Sequence, residues 1–149
     1  MAPSTVRGDD MRYLLIHKLD ESRPEAWNPS PEFIEAMGAF MTECAESGVL
    51  LAAEGVHDSS EGAIIRKTGS GTSVTDGPFT EAREVIGGFA VLQVDSREQA
   101  IELGQRFAGL FEEVSVEVRR VMEFEDLPDD VQTQQGSHDI EAVQGGLRP

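Results

Sequence analysis

Apolar residues in the middle of the chain recur with two different periods, and these periods predict strands and helices. The short apolar run Met11–His17 is typical of a buried strand. Val114, Val116 and Val118 alternate with polar residues, which indicates a strand with one face buried and the other exposed. The same reasoning predicts further strands at Val49–Val56, Ala63–Lys67, Thr72–Thr75 and Gly87–Val94.

Two segments have the signals of amphipathic helices. Ser30 can cap a helix that starts at Pro31, where the missing N–H of proline costs nothing. Ser96 begins the second helix, and Gln99 is placed to complete a capping box. Gly48 is a suitable stop for the first helix. Its predicted apolar face consists of Phe33, Met37, Phe40, Met41 and Cys44.

The order of elements predicts the fold class. Thr68–Gly71 has the composition of a hairpin turn, so the order is β-α-β-β-β-α-β. Two helices can cover only one face of a four- or five-stranded sheet. Leu14, Leu15 and Ile16 are consecutive apolar residues, so both faces of the first strand are apolar. We therefore expect an α+β ferredoxin-like sandwich, with an antiparallel sheet, two helices on one face, and a homodimer formed through the sheet.

The length of 149 residues predicts a single domain with two tails. Residues 1–10 are expected to be a disordered N-terminal tail, residues 11–124 the folded domain, and residues 125–149 an acidic, flexible C-terminal tail. A short helix that packs on a neighbour is the alternative for the last segment. From Glu123 onward seven acidic residues face Arg148 alone, so this end contributes −6 of the net charge of −16.

Charge and cysteine content exclude several classes of function. A net charge of −16 repels phosphate backbones and anionic lipids, so no nucleic-acid or membrane partner is expected. No apolar run approaches the roughly 20 residues of a membrane span. Cys44 is the single cysteine, which excludes an internal disulfide and indicates a cytoplasmic protein. Its position on an apolar helix face favours packing over a nucleophilic role.

The segment from Thr75 to Glu81 is the most distinctive part of the sequence. Asp76, Gly77 and Pro78 together favour a rigid turn, because each restricts or permits specific backbone angles. Alternatively, the turn holds Asp76 and Glu81 at the rim of a pocket with Phe79 at its floor. Trp27 either lines the mouth of that pocket or packs on its own loop.

Two histidines are candidate catalytic residues. His17 closes the first strand and His57 follows the second. If those strands are parallel neighbours, both side chains lie near one sheet edge and could share a cleft with Asp76, where a neutral histidine is a competent general base. The alternative is that both are ordinary histidines at strand ends. His138, in the polar tail, is expected to be solvated.

Other ligand chemistry is weakly indicated. Arg66, Arg83 and Arg119 are scarce cations in an acidic chain, and one could bind a substrate carboxylate, although salt bridges are the alternative. No histidine or cysteine spacing typical of a metal site occurs, and the glycines lack the pattern of a phosphate loop. We therefore predict no metal and no cofactor.

The string VTDGPFTEAREVIGGF resembles the DGPF-motif branch of the YCII-related family, and so do MRYLLIH, AESGVLLAAEGV, Ala63–Arg66 and VEVRRV, in the same order. The resemblance covers roughly residues 11–122. It implies a bacterial protein with a ferredoxin-like fold and a homodimer, and a functional link to an extracytoplasmic-function sigma factor. A His–Asp active site and dehydrochlorination chemistry are associated with the wider group, but the helix after Ser30 has no histidine here.

Together these features predict a small homodimeric protein that binds a small molecule or acts as an accessory or regulatory module. The alternative is a small enzyme of the proton-transfer or elimination type, similar to a dehydrochlorinase or an isomerase, with a pocket around Asp76. A purely structural role is a third possibility. The candidate catalytic residues are Asp76, His17 and His57, and the candidate ligand-binding residues are Phe79, Glu81, Arg66, Arg119 and Trp27.

Overall fold

A computed structural model describes residues 11–147. The strands are β1 (Met11–Leu19), β2 (Leu50–Gly55), β3 (Ala63–Thr68), β4 (Gly71–Asp76), β5 (Val85–Val94) and β6 (Ser115–Arg120). The helices are α1 (Pro31–Glu46), α2 (Arg97–Ala108), α3 (Asp129–Gln132) and α4 (Gln135–Leu147), and 3-10 turns lie at Ser59–Glu61 and Phe124–Asp126. The six predicted strand segments and the first two helices are all present, with four strands between α1 and α2 and not the three of the predicted order β-α-β-β-β-α-β.

Four strands form one antiparallel sheet in the order β2-β5-β1-β6, and β3 and β4 form a separate hairpin. The chain is therefore an α+β protein, as predicted. The condition for a shared histidine cleft, that β1 and β2 are parallel neighbours, is not met, because β5 runs antiparallel to both strands and lies between them. His17 and His57 are thus not carried by adjacent strands.

The core lies between the sheet and helices α1 and α2. Its buried residues are Tyr13, Leu15, Leu92, Val94 and Ala100. Helix α2 approaches the sheet closely at Gly104, where an added β-carbon would lie 3.4 Å from Cγ2 of Val118. One face of the sheet is therefore covered by the two predicted helices.

Both predicted helix caps are present. The hydroxyl of Ser30 accepts a hydrogen bond from the Phe33 N–H at 3.1 Å, and that of Ser96 accepts one from Gln99 at 3.1 Å. The Gln99 side chain reaches back to the N–H of Asp95 at 2.8 Å, one residue before the predicted partner. Each helix start is thus set by local sequence chemistry.

The opposite face of the sheet has an apolar centre. Strand alternation places Leu14 and Ile16 on this face, directly across from Val91 and Phe89 of β5. Phe89 is 37% exposed. We call these four residues the open sheet face.

A β-bulge interrupts the pairing of β1 with β5. His17 pairs with Gly88 and Lys18 pairs with Ile86, so Gly87 is an extra residue in β5. Beyond the bulge Val85 is buried and Ile86 is 50% exposed. The bulge therefore sets which side chains of β5 point inward.

The β3–β4 hairpin was predicted and is confirmed. Gly69 has a φ of 61°, which explains why glycine occupies the turn. Ile65 and Val74 lie directly opposite each other, at 71% and 64% exposure. The outer part of the hairpin therefore has apolar side chains in solvent.

The segment predicted to be a flexible tail contains α3 and α4. The hydroxyl of Ser137 donates to the carbonyl of Val131 at 2.7 Å, and the ring of His138 lies 5.5 Å from that of Phe124. The segment is thus helical, which corresponds to the alternative, while its flexibility stays a prediction. The prediction for residues 1–10 falls outside the described residues. Between residues 11 and 147 no helix has the length and apolar character needed to cross a bilayer.

Candidate functional site

The Asp-Gly-Pro-Phe segment forms a tight corner at the end of β4. The N–H of Gly77 donates to the carbonyl of Gly62 at 2.8 Å, and the Gly77–Pro78 peptide bond is cis. A β-carbon on Gly77 would lie 1.6 Å from the carbonyl oxygen of Ser59, so any larger residue would displace the chain. The rigid turn expected from the sequence is present.

Ser59 connects this corner to the loop after β1. It is 6% exposed, and its hydroxyl accepts a hydrogen bond from the Phe79 N–H at 2.8 Å. The same hydroxyl donates to Glu21, and the Ser59 N–H donates to the other carboxylate oxygen of Glu21 at 3.0 Å. We call Ser59 and its hydrogen bonds to Glu21 and Phe79 the Ser59 hub. The sequence did not predict it, because the two partners lie 38 and 20 residues away and no local pattern marks them.

Next to the corner is a concave region of about 730 Å³ between residues 20–27 and 78–83, which we call the corner cleft. Trp27, Pro78 and Phe79 supply apolar surface. The indole N–H of Trp27 donates to the carbonyl of Val56 at 2.9 Å, which fixes the ring. The size lies within the usual range of ligand pockets, roughly 300–1,000 Å³. Its charged lining residues are Asp20, Glu21, Arg23, Asp58, Glu81 and Arg83.

Most of the acidic groups in the cleft already have partners. A hydrogen bond from the Ser22 hydroxyl, with smaller effects of Arg23 and Arg83, lowers the pKa of Asp20 below its usual value. The side-chain hydrogen bond from Ser60 likewise lowers the pKa of Asp58. These carboxylates are therefore held in the charged form within the cleft wall.

The two arginines of the cleft differ. Arg23 forms ion pairs with Glu25, at 2.8 Å, and with Glu113. Arg83 is exposed and has no ion pair within 4 Å among the residues described. Arg83 is thus the cation of the cleft that is available to a ligand.

The predicted ligand-binding residues separate into two groups. Trp27, Phe79 and Glu81 line the corner cleft together. Arg66 lies on the exposed hairpin. Arg119 lies on β6, where its guanidinium contacts Glu117 at 3.3 Å.

The predicted catalytic residues do not come together in this cleft. Asp76 is exposed, pairs with Ala63 at the end of β4, and is not among the residues that line the cleft. His57 is exposed in the loop after β2. His17 lies on the helix-covered face of the sheet. A shared cleft for these three residues is therefore not formed within residues 11–147.

His17 lies in an aromatic environment beneath α2. Its ring centroid is 5.4 Å from those of both Phe107 and Phe111. β-Carbons on Gly87 and Gly88 would lie 2.6 Å from Nε2 and 2.7 Å from Cε1 of the imidazole, so the glycine pair makes room for the ring. Burial lowers the pKa of His17 below 6.5, which favours the neutral imidazole.

His17 also borders a second concave region, which we call the helix–sheet cavity. It measures about 170 Å³ and lies between the sheet and helices α1 and α2. Its other lining residues are Leu15, Phe40, Met41, Cys44, Leu50, Ala53, Gly55, Ala90, Leu92, Leu103 and Phe107. Glu54 and Phe89 also border it, although strand alternation turns their side chains toward the opposite face of the sheet. Burial raises the pKa of the Cys44 thiol, so the group stays protonated and packs as predicted. Periodicity marks these positions as apolar but does not show that they leave a gap.

No group of three or more histidine, cysteine, aspartate or glutamate side chains in the described part of the chain is arranged to hold a metal ion. The candidate chemistry is therefore that of the aromatic rings, Arg83 and Glu81 in the corner cleft, and separately that of the His17 imidazole at the helix–sheet cavity.

Comparison with known proteins identifies the family of this chain. The YCII-related domain matches residues 11–125, and the chain belongs to this family. No curated protein matches the chain.

Proposed function

We propose that the chain is a small-molecule-binding module of the DGPF-motif branch of its family, with the ligand in the corner cleft. The observation that carries the proposal is the Ser59 hub, which fixes Phe79 at the wall of a cleft that Trp27 also lines. Two aromatic side chains on a rigid frame can bind a planar ligand without a large loss of side-chain entropy.

The charges of the cleft define the polar part of that ligand. Asp20, Glu21 and Asp58 are engaged by serine hydroxyls, whereas Arg83 and Glu81 have no ion pair among residues 11–147. Arg83 is suited to a ligand carboxylate, because its guanidinium offers two parallel donors. Glu81 is suited to an amine. We therefore propose an amphoteric ligand with a planar apolar portion.

Trp27 provides the readout for this proposal, since it is the single tryptophan of the chain and lies in the cleft. Amphoteric aromatic compounds should change its fluorescence in a saturable way. We expect Phe79→Ala and Arg83→Gln each to weaken binding at least about tenfold, the equivalent of one lost charged or stacking contact. Arg97→Gln, on the exposed start of α2, is the control and should leave binding unchanged. Binding that is insensitive to both cleft variants would contradict the proposal.

We also propose that the fold is ferredoxin-like and that two copies pair through their sheets. The support is the open sheet face, which brings Leu14, Ile16, Val91 and Phe89 together on the side opposite both main helices. Sedimentation should give twice the mass of the chain, and Ile16→Asp should give a monomer. Ile65→Asp, on the hairpin, is the matched control and should leave the dimer intact. A monomeric parent protein would contradict the pairing.

The expected accessory role belongs to the same proposal, with a bacterial, cytoplasmic setting and a link to an extracytoplasmic-function sigma factor. Its support is the DGPF resemblance. Purified chain should retain that sigma factor on an affinity column, and Phe79→Ala should reduce retention if the loaded cleft controls the contact. Failure of the intact protein to retain it would remove this part of the proposal.

The second candidate is an enzyme of the proton-transfer or elimination type. The observation that favours it is the neutral imidazole of His17, which can accept a proton. Asp76 and His57 were predicted to act with it, but Asp76 lines neither the cleft nor the cavity. If the protein catalyses such a reaction, His17→Gln should abolish the activity. Asp76→Asn should leave it unchanged if His17 acts without Asp76.

A further inference from the structure

We propose that the helix–sheet cavity is a second binding site, specific for an uncharged monocyclic aromatic compound that carries one hydroxyl group. This site is separate from the corner cleft and does not depend on the function proposed there. Its recognition elements are one imidazole and an apolar chamber that no lysine or arginine of residues 11–147 lines.

The size and lining of the cavity define the body of the ligand. Its volume is about 170 Å³, and most of its lining side chains are aliphatic or aromatic. An engineered apolar cavity of about 150 Å³ in another protein stays dry and binds benzene. A single six-membered ring therefore fits here, whereas a fused bicyclic ligand would require the walls to move. Phe40 and Phe107 provide the edges and faces for ring contacts.

His17 defines the polar group of the ligand. A neutral imidazole has one donor and one acceptor nitrogen. Among residues 11–147 neither ring nitrogen of His17 makes a hydrogen bond, so both positions remain available. The ring cannot tilt freely, because Phe107 and Phe111 flank it and the Gly87–Gly88 backbone lies against it. One hydroxyl at the edge of the cavity can therefore bond to a nitrogen that is held in place.

The lining of the cavity sets the charge of the ligand. No arginine or lysine in the described part of the chain lines the cavity, so an anion inside it would lose its hydration without gaining a cationic partner. A neutral phenol is therefore favoured over a benzoate of similar shape.

The test uses phenol, benzene and benzoate as probes of the full chain. Binding is followed by NMR shifts of the methyl groups of Leu15, Leu92 and Leu103, and Trp27 fluorescence is recorded in parallel. We expect saturable methyl shifts with phenol, binding about tenfold weaker for benzene, and none for benzoate. Trp27 fluorescence should not change, which separates this site from the corner cleft.

Two substitutions test the cavity and the His17 imidazole separately. Ala53→Leu fills the cavity from β2 and should abolish phenol binding, whereas Ala39→Leu, on the exposed side of α1, should not affect it. His17→Phe keeps a ring in place and should remove the preference for phenol over benzene. If Ala53→Leu does not fold, Ala90→Val serves the same purpose. Absence of methyl shifts with phenol in the parent protein, unchanged binding after the cavity is filled, or an unchanged preference after His17→Phe would overturn the proposal.

Discussion

Gly77 and Ser59 approach each other so closely that a β-carbon on Gly77 would lie 1.6 Å from the Ser59 carbonyl oxygen. The same serine accepts the N–H of Phe79 and bonds to Glu21. The corner of the DGPF segment is therefore positioned by one buried serine and one glycine, and its shape depends on both.

Gly77→Ala should destabilise the protein by about 1–3 kcal/mol or more, because the added methyl group has to displace backbone atoms. Gly71→Ala is the matched control, since nothing lies within 4 Å of the corresponding β-carbon. Urea unfolding measures both variants. Equal free energies of unfolding for the two would contradict the close approach.

Ser59→Ala removes the acceptor of the Phe79 N–H and one of the donors to Glu21. We expect a loss of about 1–3 kcal/mol in the free energy of unfolding, since these groups are left without their partner. Ser60→Ala tests the neighbouring exposed hydroxyl, which bonds to Asp58, and should cost less. If the exposed serine proves the more costly of the two, the hub does not organise the corner.

Gly88→Ala places a β-carbon 2.5 Å from the carbonyl oxygen of Glu54 and 2.7 Å from the His17 ring. It should destabilise the fold by about 1–3 kcal/mol. Gly38→Ala, on α1 with no atom within 4 Å, should instead stabilise it by about 0.5–1 kcal/mol, because alanine favours the helix. Thermal unfolding should move the two melting temperatures in opposite directions.

The lowered pKa of His17 predicts a pH dependence of stability. The unfolded chain takes up this proton near pH 6.5, while the folded protein resists it until a lower pH. The contribution of neutral His17 to the free energy of unfolding should therefore be fully present above pH 6.5. It should be lost as the pH drops from 6.5 toward the folded-state pKa. Cys44 and Glu54 share the cavity with His17, and neither is a cation. Urea unfolding between pH 7.5 and 5 measures the effect.

His17→Phe should remove this component, and His57→Gln, at an exposed position, is the control that should retain it. Asp20, Asp58 and Glu117 have lowered pKa values, so their contributions are lost only at more acidic pH. A profile between pH 7.5 and 5 that is identical in the parent protein and His17→Phe would contradict the burial of the imidazole.

Local signals predicted the elements well, and long-range contacts account for what they missed. Ser30 and Ser96 mark both helix starts, because a capping bond joins residues only three apart. The insertion of β5 between β1 and β2 has no such signal, since it depends on which strand pairs best with both. The Ser59–Glu21 bond spans 38 residues, and the helix–sheet cavity depends on how the faces of α1 and α2 meet the sheet.

The extra residue at Gly87 decides which side chains at the start of β5 face the core and which face solvent. With Gly87 in place, Val85 is buried while Ile86 stays in solvent. If β5 alternated strictly through Gly87, Ile86 would face inward and Val85 outward, so the bulge is what keeps Val85 in the core. The inward position of Val85 thus depends on one extra residue, and that residue is a glycine whose added β-carbon would lie 2.6 Å from Nε2 of His17.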